Sequence, residues 1–478
     1  MFPPLLAHSL LLAIVALSIL LMLLRPRGIA EVYWVGSGAL LLLLLRLIPL
    51  KLAAHAIAKG LDVYLFLIGM MLLSELARAQ GVFDWVASTA VQHARGSGTR
   101  LFTLVYAIGT IVTIFMSNDA TAVVLTPAIL TAVKKAKAQP LPHLFTCALI
   151  ANAASFVLPI SNPANLVLFQ QSMPPLGRWL LAFGLPSIAS ITVTYLTIRF
   201  IFRKTLAAPL APRSENADGD AVGNQDETAA GNQDANQTAS LDDSLRTEGK
   251  LVLAGLALVI VTVLTASACN RQLGLPTCLA ALVVTAIVLG YGRLNKGRRA
   301  MGRIPIAAAR TSPLTLARAI SWPTLALVAA LFILVDAIES VGALHLTQQA
   351  LQWAQSLPPA VGAYLTAFVV GLTNNLVNNL PLGLIAGATL QAAHAQVATS
   401  LHHLIPAAVL IGVDLGPNLA VTGSLATILW LLALRKDNLD VSFWDFLKVG
   451  AIVMPLALAA SITTSIITSI TAALLIAR

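Results

Sequence analysis

Apolar runs of about 20 residues, the length that crosses a hydrocarbon core, recur along the whole chain. The stretches 4-24, 30-49, 60-77, 178-202, 250-268, 275-291, 319-337 and 446-474 each read as a span. Four more apolar stretches carry polar residues in their middle. Residues 101-133 and 360-393 are interrupted by SND at 117-119 and TNNLVNN at 373-379, and residues 142-170 and 403-434 by PISNPAN at 159-165 and VDLGPN at 413-418. Non-helical backbone at membrane depth is tolerated only where protein buries it or a wet cavity lies beside it. The first two stretches therefore read as re-entrant hairpins and the other two as broken helices. The expected fold class is an all-α polytopic membrane protein with about ten transmembrane spans plus two hairpins.

Sliding the chain along itself exposes a repeat. At an offset of 261, Gly81 falls on Gly342, each heading an amphipathic segment (GVFDWVASTAVQHARG and GALHLTQQALQWAQS), and Ser117 and Asn118 fall on Asn378 and Asn379. Each half then reads as three spans, an amphipathic arm, a hairpin, a broken helix and a last span, within 1-202 and 250-478. Between them, 203-249 contains GNQDETAAGNQDANQ, which has almost no large apolar side chains to bury and is expected to be a disordered cytoplasmic linker. A hairpin adds no crossing, so each half crosses five times. That odd number inverts the second repeat relative to the first.

Charge sets the direction. Only 10% of residues are charged against 58% hydrophobic, and the basic residues fall between the apolar runs, with no basic face interleaved with aromatics that would fit nucleic acid. The segment Arg293 to Arg318 carries seven Lys and Arg and no acid, which places it in the cytoplasm. Both termini are then outside. Of the 30 basic residues only Arg46, Lys51, Lys59, Arg178, Arg271 and Arg478 fall on the outer side; a twelve-span arrangement would instead put the termini inside. The first run, Pro4 to Leu24, lacks a basic leader and is followed by RPR, so it reads as a retained span rather than a signal peptide. Cys147, Cys269 and Cys278 form no CxxC pair and no metal-ligand spacing.

Hairpins entering from opposite sides bring their tips, Asn118 and Asn379, together near the midplane, where helix ends offer unpaired backbone groups. Asparagine both donates and accepts without a net charge, which suits a small polar solute. Asp119, and Asp414 beside the second half's break, are the acids placed to carry a proton between two access states. The competing reading is structural, with amides capping helix breaks and acids accepting N–H bonds at helix N-termini. Asp62, Asp336 and Glu339 have no polar motif around them, and Asp336 and Glu339 are expected to reach water at the outer end of a span.

SNDATAVVLTP at 117-127, ISNPANLVLF at 160-169, NNLVNNLP at 374-381 and above all IGVDLGPNLAVTGSLATILW at 411-430 resemble ArsB-type arsenite efflux permeases of the ion transporter superfamily, over nearly the whole chain except the linker. The resemblance implies a multi-pass transporter of the bacterial inner membrane rather than an enzyme. It would export arsenite and antimonite in exchange for protons, need no cofactor and work optionally with an ArsA-type ATPase. The sequence has no GxxxxGK[ST] loop, so any ATP chemistry would come from another chain. It departs from the pattern in its second half, where the NPAN-like element reads GPN. Arsenite is an uncharged trihydroxide at neutral pH, and the substrate cage expected for it is Asn118, Asn162, Asn165, Asn378, Asn379, Asn418 and Ser424. Thiol capture competes with that cage, but the three cysteines lie in separate spans. Two other functions stand beside arsenite export. One is a sodium/proton antiporter or anion carrier of the same superfamily, against which the absence of Lys and Arg from all four interruptions counts for anions. The other is a passive channel or structural membrane subunit, which dependence on a proton gradient would separate.

Overall fold

The computed structural model describes residues 3–170, 173–207, 245, 247–294, 312–394 and 404–476, and all regular elements among them are helical. Helices α1 (Pro4–Leu24), α2 (Glu31–Leu44), α3 (Leu50–Lys59) and α4 (Leu61–Ala79) precede the arm α5 (Val82–Ala94). The first hairpin is α6 (Gly98–Met116), α7 (Asn118–Ala120), a π-helical turn (Thr121–Leu125) and α8 (Thr126–Lys135). The first broken helix is α9 (Pro140–Ala153), a 3-10 turn (Pro159–Ser161) and α10 (Pro163–Leu168), followed by α11 (Leu176–Ile201) and α12 (Arg203–Leu206). The second half comprises α13 (Thr247–Ala268), α14 (Gly274–Leu294), α15 (Pro313–Ala319), α16 (Trp322–Ser340), the arm α17 (His345–Ser356), and the hairpin legs α18 (Pro359–Val377) and α19 (Asn379–His394). Its broken helix is α20 (Leu404–Leu415), 3-10 turns at Gly416–Asn418 and Val421–Gly423, and α21 (Leu425–Lys436); α22 (Phe443–Ile476) ends the chain.

Eight of the described helices are long and apolar enough to cross a membrane, and a ninth forms if α3 and α4, bent by 47°, count as one. The protein is therefore an all-α, multi-pass membrane protein. Its helices are sided for lipid. On α11 the buried positions include Ser187, Ser190, Thr194 and Thr197, whereas Leu181, Leu185, Ile188, Leu196 and Phe200 point outward. Lipid tails solvate leucine as well as protein does, so small and hydroxylated residues take the helix interfaces. Here α11 packs on α22, and Ser461 Oγ donates to the Pro186 carbonyl at 3.1 Å. Between α18 and α20 the approach depends on glycine: a Cβ at Gly412 would fall 2.8 Å from the Ala367 oxygen, and one at Gly416 2.6 Å from that of Gly371.

Two expected boundaries and the exposure of one acid change. The run 30-49 holds a 14-residue helix, about 21 Å long, that stops before Arg46 in the left-handed region (φ 54°) and Pro49, the N-cap of α3. The linker's ends are ordered, because α12 buries Leu206, whose carbonyl accepts from Thr99 Oγ1 at 3.2 Å, and α13 starts at Thr247. The rest of the linker, 208-244, lies outside the described residues, as does the basic run 295-311. Asp336 and Glu339 are both expected at water, and Glu339 is exposed. Asp336 is instead 6% exposed and ion-paired with Lys59, because both belong to helices that pack together.

The interrupted stretches fold as matched pairs. Both legs of the first hairpin, α6 and α8, pack against α5, and both legs of the second, α18 and α19, pack against α17. Each arm is about 20 Å long or less, so contact with both legs requires the chain to turn back at Ser117 and at Asn378.

Candidate functional site

Each hairpin turns on a non-glycine residue with positive φ: Ser117 (φ 115°, ψ 161°) and Asn378 (φ 75°, ψ 153°), 261 positions apart. Such backbone is costly for an L-residue, about 1–3 kcal/mol, and the second leg then starts at Asn118 or Asn379. Both asparagines are buried, and the Oδ1 of each has no hydrogen-bond partner. The hairpins differ beyond that point. Pro127 has no N–H to return to an earlier carbonyl, and the first hairpin widens into its π turn, where Thr126 Oγ1 donates to the Thr121 carbonyl at 3.1 Å. The half-buried Asp119 lies just before this turn; at the same offset the second hairpin has Leu380 on an uninterrupted helix.

The broken helices match at an offset of 262. Leu158 (φ −122°, ψ 154°), the 3-10 turn Pro159–Ser161 and the N-cap Asn162 (φ −146°, ψ 131°) correspond to Ala420 (φ −143°, ψ 154°), Val421–Gly423 and the N-cap Ser424 (φ −142°, ψ 153°). Asn162 Oδ1 accepts from Ala164 N at 3.0 Å and Ser424 Oγ from Thr427 N at 3.1 Å. The second counterpart of NPAN is therefore SLAT at 424-427, not GPN, which forms a separate turn upstream. In both halves the break is tied to the same half's hairpin: Ser161 Oγ donates to the Ile114 carbonyl at 2.9 Å and Thr422 Oγ1 to the Asn375 carbonyl at 3.0 Å.

The expected site residues divide into two groups. Asn162 Nδ2 donates to Asp414 Oδ1 at 2.7 Å, so it joins the halves while also capping α10. Asn418 accepts from Asn152 Nδ2 at 2.9 Å and donates to the Leu149 carbonyl at 3.1 Å, and Ser424 caps α21. Asn378 Nδ2 reaches the Thr422 carbonyl at 3.4 Å. These four have polar atoms engaged within the protein. The second group keeps unspent acceptors: Asn118, Asn165 and Asn379 through Oδ1, and Asp414 through Oδ2. Asn165 combines both, since its Nδ2 holds the Ser155 carbonyl of the break at 2.8 Å.

No hydrogen bond joins Asn118 to Asn379 among the described residues. Each tip instead packs on the opposite half's broken helix, with α7, the π turn and α8 against α21 and with α19 against α10. Sequence reading missed Asn152 and Asn374, both fully buried with an unpartnered Oδ1. Asn152 lies 262 positions before Asp414, so a repeat search centred on the broken helices points to it. Beside the second tip, a small pocket is lined by Asn378 and Thr422 together with Met22, Leu327, Leu331 and Glu31, the ion-pair partner of Arg25. Cys147 and Cys278 are buried on α9 and α14, and Cys269 is exposed just beyond α13.

Comparison with known proteins agrees with this architecture. The arsenical pump membrane protein of Escherichia coli (strain K12) is 25% identical over 459 residues, covering 92% of this chain and 94% of that one. Among solved structures, Neisseria gonorrhoeae MtrF, presented as one of a class of antimetabolite efflux pumps, superposes with a TM-score of 0.53 at 13% identity, over 97% of this chain and 95% of its own. The Alcanivorax borkumensis YdaH transporter gives 0.50 at 15% identity, over 87% and 86%. These two likenesses are of fold. The family model described as citrate transporter, CitMHS, matches residues 5–413, and the chain belongs to that family of membrane transporters.

Proposed function

We propose that the protein is a secondary active transporter that exports arsenite and antimonite from the cytoplasm in exchange for protons. The observation that carries this reading is the set of buried acceptors without partners, Asn118, Asn165 and Asn379 Oδ1 and Asp414 Oδ2, beside breaks that contain no Lys or Arg. Unpaired buried acceptors need donors. Arsenite and antimonite, as neutral trihydroxides, bring three O–H donors and no charge. Citrate and other polycarboxylates bring acceptors, which would meet acceptors with no cation to balance them. The relatives named as arsenical pumps point the same way.

In this reading the two halves, 1-202 and 250-478, are inverted repeats that expose the site alternately to the two faces of an inner membrane. Asp119 and Asp414 carry the exchanged proton. Asp119 stands next to a π turn, an irregularity frequent at functional sites, and Asp414 is hydrogen-bonded across the halves. An ArsA-type ATPase is an optional partner carried over from the resemblance alone.

The test is uptake into everted vesicles. Arsenite should accumulate against its gradient when a proton gradient is imposed, and accumulation should vanish when that gradient is collapsed. Equal, merely downhill entry in both conditions would identify a channel. Dependence on a sodium gradient would favour the sodium-coupled alternative, and citrate uptake without arsenite uptake would favour an anion carrier.

A further inference from the structure

Asp414 lies in a knot of buried polar side chains between the two broken helices. Its Oδ1 accepts from Asn162 Nδ2 at 2.7 Å. Ser155, whose hydroxyl lies beside the same carboxyl, donates to the Asn152 carbonyl at 2.7 Å, and its own carbonyl accepts from Asn165 Nδ2 at 2.8 Å. Asn152 Nδ2 in turn donates to Asn418 Oδ1 at 2.9 Å. All six residues are 1% exposed or less. Three side-chain oxygens of the knot are left without a donor: Asp414 Oδ2, Asn152 Oδ1 and Asn165 Oδ1.

Among the described residues, no cation stands by to balance an ionised Asp414. The helices packed most closely on α20 are α9, α10, α18, α19 and α22. Their only Lys, Arg, Asp or Glu residues are Asp445 and Lys448, exposed and paired with each other in the first two turns of α22. Their other titratable groups stand apart from the knot. His143 and Cys147 are nine and five residues before Asn152 on α9, Tyr364 is bonded to Thr463, and His394 ends α19. An unpaired carboxylate is so costly to take out of water that the group takes up a proton instead. The proton turns Oδ2 into a donor, which is what the bare amide oxygens of Asn152 and Asn165 lack.

We infer that Asp414 is neutral when no arsenite is bound, and that its proton and arsenite compete for the knot, so that binding of one expels the other. This rests on the reading of the buried acceptors as an arsenite site. With the proton in place, Oδ2 donates to one amide oxygen and a single bare acceptor remains of the three. With the proton gone, three bare acceptors face the three O–H donors of arsenite. Arsenite therefore matches the ionised knot and is poorly matched to the protonated one. In the binding step the Asp414 O–H bond breaks, its proton goes to water, and the carboxylate oxygen accepts a hydrogen bond from arsenite, which keeps its own protons and stays neutral. Two loads that need the same oxygen cannot ride together, and exchange rather than co-transport follows.

The first test adds arsenite to the purified parent protein in weakly buffered detergent, with a pH indicator and calorimetry. About one proton should be released per arsenite bound, and affinity should rise roughly tenfold per unit of pH over the range in which arsenite is neutral. Asp119→Asn should release the same proton. Binding without release, or release that disappears in Asp119→Asn, would overturn the inference. Asp414→Asn sets an amide N–H where the proton sits, so it should melt at the parent's temperature yet bind arsenite roughly tenfold or more weakly, with no release and no pH slope. Parent-like pH dependence in that variant would also overturn it. Infrared spectroscopy needs neither arsenite nor a folded Asp414 variant. The carbonyl band of a neutral, hydrogen-bonded carboxyl should be present at neutral pH in the parent and in Asp119→Asn, with or without sodium. A missing band would overturn the inference, and so would one that appears only when sodium is withdrawn, since a cation would then occupy Oδ2. A parent that shows the band and binds no arsenite would refute the arsenite reading and the competition with it, leaving the neutral acid.

Discussion

Asn152 and Asn418 show how much an amide in this site can be asked to do. Asn152→Leu leaves Asn418 Oδ1 buried without its donor, so the purified protein should lose about 1–3 kcal/mol of stability, read as a lower melting temperature in detergent. Asn152→Leu and Asn418→Leu together should cost less than the sum of the two single changes, since they share one bond. Additive losses would show that the bond carries nothing. Asn118 predicts another pattern, because its Oδ1 holds up no helix. Asn118→Ala should weaken arsenite binding by about 1 kcal/mol, roughly fivefold, with little change in melting. Asp119→Asn preserves shape but cannot titrate, so binding should survive and uphill uptake vanish; parent-level uphill uptake would remove Asp119 from the coupling. The sequence displayed these residues because polar side chains are conspicuous in apolar runs. It did not separate cappers from free acceptors, since that depends on which partner each amide finds after folding. Asn162 and Asn118 look alike in one dimension, yet only Asn162 finds Asp414.

At the scale of elements, the breaks were legible and their internal geometry was not. Lipid offers no partner for unwound backbone, so SND, TNNLVNN and PISNPAN mark helix ends wherever they occur in an apolar run. Hydropathy has no sense of register, however. It makes α2 too long, and the family pattern sets GPN against NPAN where the matching N-caps are Asn162 and Ser424. The π turn was invisible for the same reason, although Pro127 was its clue. Pro127→Ala returns an N–H to the helix and should let Thr121–Leu125 close into α geometry. Removing the extra residue from the turn rotates the preceding residues by about 100°, and Asp119 with them. Thermal stability should hold or rise while transport falls about tenfold or more. Parent-level transport would mean that the π turn does not set the position of the acid.

For the whole molecule, a charge count and an odd number of crossings predict that the two halves run in opposite directions, provided that neither hairpin crosses the membrane. Each first leg has 19 residues and rises about 28 Å, close to the thickness of a hydrocarbon core. Length alone would let α6 and α18 cross, giving a twelve-span protein with its termini inside. The fold-back onto α5 and α17 argues otherwise, because a leg that returns beside its own arm ends on the side where it began. The arm α5 should then lie in the cytoplasm and the arm α17 outside. Single cysteines at His93 on α5 and Gln349 on α17, in a cysteine-free background, decide between the two arrangements. Gln349→Cys should react with an impermeant thiol reagent in intact cells, and His93→Cys only after the membrane is opened. Five crossings per half place the two arms on opposite faces, whereas a sixth per half puts both outside, so labelling of both from one side would overturn the inversion and with it the meeting of two oppositely directed hairpins on which the proposed site depends.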